Sequence, residues 1–218
     1  MSLRCALAVG VLFGLVGPVG AAVITFDDLT LGQEYTVTEV FTSGGVPITV
    51  EPFQWSGGQW FSGGSAKVEG GKKADGGGLE ININNVNLNF GFGMPMQGVS
   101  LMFGEYGGNI NIEINGDFRN VGGFEFIDDT VIGGTEVFVV GPYWPAEATP
   151  GPGGGGVQPS PPEVIGPLGA LFVTGQINTF KLGGQELWID NVIACIPEPG
   201  TLGLLGLGVV CLLRRRGR

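Results

Sequence analysis

The stretch Leu79–Phe90 limits what this chain can fold into more than any other. Apolar Ile81 and Ile83 alternate with asparagine, and Val86, Leu88 and Phe90 then alternate in the opposite phase. A period of two sends successive side chains to opposite faces of an extended strand. The phase change therefore asks for a bulge or kink at Asn84-Asn85, which would return all five apolar residues to one face. The same period recurs in Tyr35–Phe41, Val99–Phe103 and Ile110–Ile114. Shorter β-prone runs are Val23–Phe26, Phe124–Phe126, Val137–Val140, Leu171–Val173, Ile177–Leu182 and Leu187–Ile189. Asn115-Gly116 favours a two-residue hairpin returning through Phe118. Pro47 and Pro52 should demote Val46–Phe53 to an edge or a broken strand. No 3.6-residue apolar period extends over three turns outside the two ends of the chain. The expectation is an all-β domain of about ten strands, closed as a sandwich or jelly roll.

Glycine, at 43 of 218 residues, serves as turn residue between these runs. It concentrates with aromatics in Trp55–Gly64, in the loop Gly70–Gly78, and with proline in residues 141–167, which read as an exposed loop inserted in the domain. The domain, residues 23–194, is strongly acidic. Up to Cys195 it holds nineteen of the twenty acids (all but Glu198), against Lys67, Lys72, Lys73, Arg119 and Lys181, a net charge of −14. Nucleic acid, which needs clustered lysine and arginine, is excluded as a partner. Such a surface suits divalent cations or neutral polymers, and serves solubility in any case.

The chain has no histidine, so Ser-His-Asp and Cys-His catalysis are excluded. A paired-carboxylate glycosidase stays open in principle, and no glycine-rich segment carries Gly-Lys-Ser/Thr ahead of a helix. The expectation is a protein that is not an enzyme and holds no cofactor. Aromatics in or beside glycine-rich stretches offer flat rings for a sugar face: Trp55, Trp60, Tyr143 and Trp144, with Tyr106 nearby. Trp188, between Leu187 and Ile189, reads instead as packing on a sheet face. The asparagine row 82, 84, 85, 87 and 89, with 109, 111 and 115, is a solvated face, or one that pairs with polysaccharide or with another copy of the sheet.

Both ends carry addresses. Met1–Arg4, the apolar run Cys5–Val19 and Gly20-Ala21-Ala22 make a secretory signal peptide over residues 1–22, with a signal helix and cleavage after Ala21 or Ala22. Cys5 belongs to that signal and Cys211 to the far end. Cys195 is left without an internal disulfide partner, so it is either a small buried apolar residue, the favoured reading, or a site of intermolecular pairing. At the C-terminus Pro197-Glu198-Pro199 interrupts secondary structure, Leu202–Leu213 carries no charge, and Arg214, Arg215, Arg216 and Arg218 follow. That order describes a break, a transmembrane helix and a cytoplasmic stop. Twelve residues of helix span about 18 Å, short of the roughly 20 residues that a bilayer core requires.

Residues 195–218 resemble the PEP-CTERM sorting tail of exported bacterial proteins. The resemblance implies an exosortase as partner, together with signal peptidase and the export machinery. It also implies a precursor held transiently in the inner membrane by a single span with its N-terminus out, and delivery to the cell surface or extracellular matrix. Ile24–Leu29 and Glu186–Val192 resemble the opening and closing strands of PEP-CTERM proteins with a jelly-roll domain, which implies that first and last strands lie close. Asp27, Asp28 and Asp190 would then approach one end, where similar carbohydrate-binding sandwiches hold a structural calcium. The same aspartates could equally cap turns. The expected function is binding of extracellular polysaccharide, and the alternative is a self-associating structural component of the matrix.

Overall fold

Period-two alternation becomes strand in a computed structural model that describes residues 20–71, 73, 74, 77–143 and 168–196. In chain order the strands are β1 (Ala21–Ile24), β2 (Glu34–Thr36), β3 (Val40–Ser43), β4 (Val46–Gln54) and β5 (Trp60–Phe61). There follow β6 (Ser65–Gly70), β7 (Leu79–Asn84), β8 (Val86–Phe90), β9 (Met96–Ile114) and β10 (Asp117–Val121). The last four are β11 (Thr130–Ile132), β12 (Thr135–Tyr143), β13 (Leu168–Ile177) and β14 (Phe180–Cys195). Among the described residues there is no α-helix, and no helix long and apolar enough to cross a membrane. The signal helix expected over residues 1–22, the transmembrane helix and the arginines behind it fall outside the described residues, save for Gly20, Ala21 and Ala22.

Two long strands, β9 and β14, pair antiparallel from Phe180 opposite Ile114 to Cys195 opposite Gly98. Their register slips between Gly184 and Leu187, opposite Glu105–Ile110, and again between Asp190 and Ile193. Such bulges increase local twist and bend a strand, and each half of the ribbon accordingly belongs to a different sheet. One sheet runs β11-β12-β13, then the first half of β9, the second half of β14, and β7-β6-β2, with β1 beside the last four residues of β14. The other runs β10, the second half of β9, the first half of β14, and β8-β4-β3. Asn85, at φ 57°, makes the expected kink between β7 and β8, and its N–H donates to Gly184 O at 2.8 Å. Ile81, Ile83, Val86, Leu88 and Phe90 all end up buried. Asn115 and Gly116, at φ 53° and 83°, close the hairpin between β9 and β10.

The two sheets meet across one apolar core, as a β-sandwich. Tyr35 of β2 stacks on Phe41 of β3 with ring centroids 4.2 Å apart, joining one edge of each sheet. Phe90 and Phe180 tilt together at 5.7 Å, and Phe103 stacks on Phe124 at 3.9 Å. Burying each such ring contributes about 2 to 3 kcal/mol.

Several expected elements differ. Tyr35–Phe41 is not one strand: Thr38 at φ 81° turns the chain, and the two halves enter opposite sheets. β4 is neither an edge nor broken, because each proline is paired on one side only. Pro47 lies opposite Thr42, before pairing with β8 begins at Ile48, and Pro52 lies opposite Val86, beyond the reach of β3. Phe124–Phe126 forms a 3-10 turn, which points Phe124 into the core. Cys195 is exposed rather than buried, since alternation along the end of β14 turns Ala194 inward and Cys195 outward.

Glu105 lies at the bulge of β9. Burial pushes its carboxyl up to about 7, the Phe124 N–H at 3.1 Å pulls it down, and the Glu125 charge raises it. A carboxyl raised on folding binds a proton more tightly in the native state, so its contribution is intact below the unfolded value near 4.5 and is lost as pH rises through 7. Urea denaturation should therefore show stability falling by about 2 kcal/mol between pH 5 and pH 7.5, the figure being reduced for the part of the side chain in solvent. Glu105→Gln should abolish most of that slope, and an unchanged slope in the variant contradicts this assignment.

Candidate functional site

Alternation along the second sheet commits one face to the core, through Val86, Leu88, Ile110, Ile112, Phe180 and Leu182. The residues between them project from the opposite face, where the strand register aligns them in rows. Glu51, Asn87, Gly183, Asn111 and Asn120 lie side by side on β4, β8, β14, β9 and β10. Two residues along each strand, Thr49, Asn89, Lys181, Glu113 and Phe118 form the next row.

These rows are tied together by side chains. Lys181 Nζ lies 3.0 Å from Glu51 Oε2 and 3.4 Å from Glu113 Oε2, and Asn89 Nδ2 donates to Glu51 Oε1 at 2.7 Å. Burial draws the Lys181 ammonium down, but its hydrogen bond to Glu51 and the charges of Glu51 and Glu113 outweigh that and leave it raised. Asn109 Nδ2 donates to Asn120 Oδ1 at 2.7 Å, and Asn120 Nδ2 donates to Asn111 Oδ1 at 2.7 Å.

A hairpin folds over this face. β4 continues to Gln54, turns through Trp55–Gln59 and returns as β5. Gln54 O accepts from Asn120 Nδ2 at 2.6 Å, and Pro52 O accepts from Asn87 Nδ2 at 2.6 Å. Trp60 is thereby brought against Phe118, with ring centroids 5.7 Å apart. The consequence is an unusual distribution of exposure. Asn87 and Asn111 are only 5% and 2% exposed, whereas Trp60 above them is 59% exposed. Between these rings and the asparagines lies a recess of about 30 Å³, which Lys181, Glu51 and Glu113 also line. Asn87 Oδ1 and Asn111 Nδ2 have no hydrogen-bond partner. Gly183 makes room for the Asn87 amide: a Cβ there would collide with Asn87 Oδ1 and Val86 O.

Of the aromatics expected to bind, Trp60 is at this site, and Trp55 lies behind it, edge-on to Phe53 and Phe61. Tyr143 ends β12 opposite Leu168, in the other sheet, and Trp144 lies outside the described residues. Trp188 is 8% exposed on the outer face of the first sheet. Its Nε1 donates to Glu69 Oε2 at 2.9 Å, Lys73 Nζ stands 4.2 Å from its ring centroid, and Tyr106 meets it edge-on. The sequence reading did not single out Phe118, Glu51, Glu113 or Lys181 for the site. Their signal was position, each falling on the non-core phase of a strand already recognised.

β1 pairs with the end of β14, so first and last strands are adjacent. The aspartates expected there serve the backbone. Asp27 Oδ1 accepts from Leu79 N at 2.8 Å, Asp28 from Ser43 Oγ at 2.6 Å and Gly44 N at 2.9 Å, and buried Asp190 from Asn191 N at 2.7 Å. Among the described residues no group of three or more acid, cysteine or histidine side chains is placed to hold a metal ion.

Lys181 holds two carboxylates together on a half-buried face. Lys181→Met should lower stability by about 1 to 2 kcal/mol at pH 7, between the values for exposed and buried pairs. The deficit should shrink when Glu51→Gln and Glu113→Gln are also present, because the ammonium then has no carboxylate to hold. An equal deficit in both backgrounds in urea denaturation would show that packing, not charge, sets the loss.

Beyond β14 the chain passes through Ile196, whose N–H donates to Gly20 O at 3.0 Å, into the proline-containing tail. Pro197, Glu198 and Pro199 and the arginines 214, 215, 216 and 218 lie outside the described residues. No curated protein and no solved structure matches the chain. A family model does match its end, and residues 196–218 are a PEP-CTERM protein-sorting motif.

Proposed function

We propose that this is an exported, non-enzymatic protein of the cell surface or extracellular matrix, whose β-sandwich binds exopolysaccharide at Trp60. The sorting motif supports the route. The signal over residues 1–22 directs export, Leu202–Leu213 anchors the precursor with Arg214–Arg216 and Arg218 in the cytoplasm, and an exosortase processes it at Pro197-Glu198-Pro199.

The observation that carries the binding role is the open ring of Trp60 above an asparagine-lined recess. A flat aromatic face packs on the apolar face of a sugar ring, while amides exchange hydrogen bonds with hydroxyls. The domain's charge of −14 leaves neutral polymers as compatible partners. The two acids at the site are tied to Lys181 rather than held as a free acid and base, which supports binding without chemistry.

A second reading has an observation of its own. On the outer face of the first sheet, Phe138, Phe172, Ile193 and Val23 align in one row through Ser100, and all four are at least 37% exposed. Exposed apolar rows support self-association. In that case the protein assembles with rising concentration in the absence of polysaccharide.

Full-length protein should be retained by exopolysaccharide extracted from the cells that make it. Trp60→Ala should weaken retention about tenfold, equivalent to about 1.4 kcal/mol, without changing the thermal midpoint. Undiminished retention of the variant contradicts the site. Truncation after Ala194 should remove the membrane-held precursor, and an unchanged distribution and processed form would contradict the route.

A further inference from the structure

We infer that the outer face of the first sheet is the contact between two copies of this chain, and that the pair, with its Trp60 faces turned away from each other, cross-links polysaccharide. The cross-linking role rests on the polysaccharide-binding reading, and the contact does not. Strand register lays three rows of outward residues across β12, β13, β9 and β14, two of them continuing onto β1. The middle row runs Phe138, Phe172, Ser100, Ile193, Val23. Its four apolar members are 37% to 48% exposed, on the phase of each strand that faces away from the core. Val140, 47% exposed, begins the row beside it and is followed by Ala170 and Met102.

Charge decides which partner can cover this face. The domain carries a net −14, so two copies repel each other in most orientations. In the three rows the charged residues are Glu136, at one corner, and Asp190, which is 2% exposed and accepts from Asn191 N. This is therefore where a second copy approaches with least repulsion. Size agrees. Five strands about 4.8 Å apart cover about 24 Å, and three rows two residues apart extend about 20 Å. Two such faces give about 960 Å² in flat projection, and more over projecting side chains, which meets the roughly 1,000 Å² that a specific interface requires.

The middle row also fits its own reverse. Phenyl rings occupy one end, branched aliphatics the other, and Ser100, the smallest side chain of the row, stands between them. A two-fold axis parallel to the strands beneath Ser100 lays Phe138 and Phe172 of each copy over Val23 and Ile193 of the other, a closed isologous contact. That axis keeps the ends of both β14 strands, and the sorting motifs that follow them, on the same side. Two precursors held in one membrane need that arrangement. The Trp60 hairpin lies on the outer face of the second sheet, so four sheets separate the two Trp60 faces of the pair, with about 30 Å between the outermost backbones. Each face is then open to a different polysaccharide chain, and two sites on one particle add avidity.

Sedimentation equilibrium of the full-length protein without polysaccharide tests the contact. The expected result is a mass that doubles with rising concentration and then stops, with tighter association in higher salt, where repulsion between the acidic domains is screened. Phe172→Glu should weaken the dimer by about tenfold or more. Ser100→Glu, which leaves both phenyl rings in place, should do the same, and both outward substitutions should keep the thermal midpoint. Beads coated with the cells' own exopolysaccharide should be agglutinated by the unaltered protein. Neither Trp60→Ala nor Phe172→Glu should agglutinate them at a concentration where the latter is monomeric, although Phe172→Glu should still be retained on the same polymer.

Unaltered protein that stays monomeric overturns the contact and leaves the face to a different occupant. Growth beyond the dimer without limit overturns it too. So does association that survives both charged variants, since it then comes from another part of the chain. A dimer that is retained by exopolysaccharide yet fails to agglutinate the beads overturns the cross-linking role. Protein that dimerises but is not retained leaves the contact standing and overturns the binding reading instead.

Discussion

The pairing of β9 with β14 is the constraint on which the rest of this structure depends. These strands are the only ones in the described fold to run through both sheets, and a bulge in their shared ladder sets where one sheet ends and the other begins. Because β14 is flanked by β9 along its whole length, its other edge is divided in turn among β8, β7 and β1. The kink at Asn85 has the same origin. It sits where the strand beside β14 must change sheets, and its N–H is satisfied by Gly184 at the bulge.

The same geometry generates the candidate site. Gly183 lies one residue before the bulge, at the centre of five aligned strands, and the missing side chain leaves room for the amide of Asn87 to cross β14. An ordinary sandwich would leave such an outer face in water, where asparagines cost little. Here the Gln54–Trp60 hairpin covers them and is fastened by Asn87 and Asn120. Two buried amide atoms without partners work against stability, each by about 1 to 3 kcal/mol. An arrangement that opposes local stability while keeping an exposed tryptophan above it is the kind of departure expected at a functional position.

Much of this was legible beforehand, for identifiable reasons. Alternation is a local property, so the strands, the Asn84-Asn85 kink and the Asn115-Gly116 hairpin could be read directly from their residues. The division of Tyr35–Phe41 could not, because its residues fit one strand equally well, and only the stacking of Tyr35 on Phe41 across the core reveals two. The prolines of β4 misled for a related reason: proline forbids one hydrogen bond, and whether a partner needs that bond depends on how far the neighbouring strands extend. Trp60 was visible as an aromatic among glycines, but Glu51, Lys181 and Glu113 come from three distant segments. Their meeting is set by register, which sequence spacing does not express.

On the proposed reading, the sorting motif serves destination and the sandwich serves contact. The central claim is that contact with polysaccharide occurs through the exposed ring of Trp60. Indole resonances of nitrogen-15-labelled full-length protein, followed during titration with oligosaccharides cut from the cells' own exopolysaccharide, report on it directly. The account predicts a saturable shift of the Trp60 indole. Shifts confined to other tryptophans, with the Trp60 indole stationary at saturation, would contradict it.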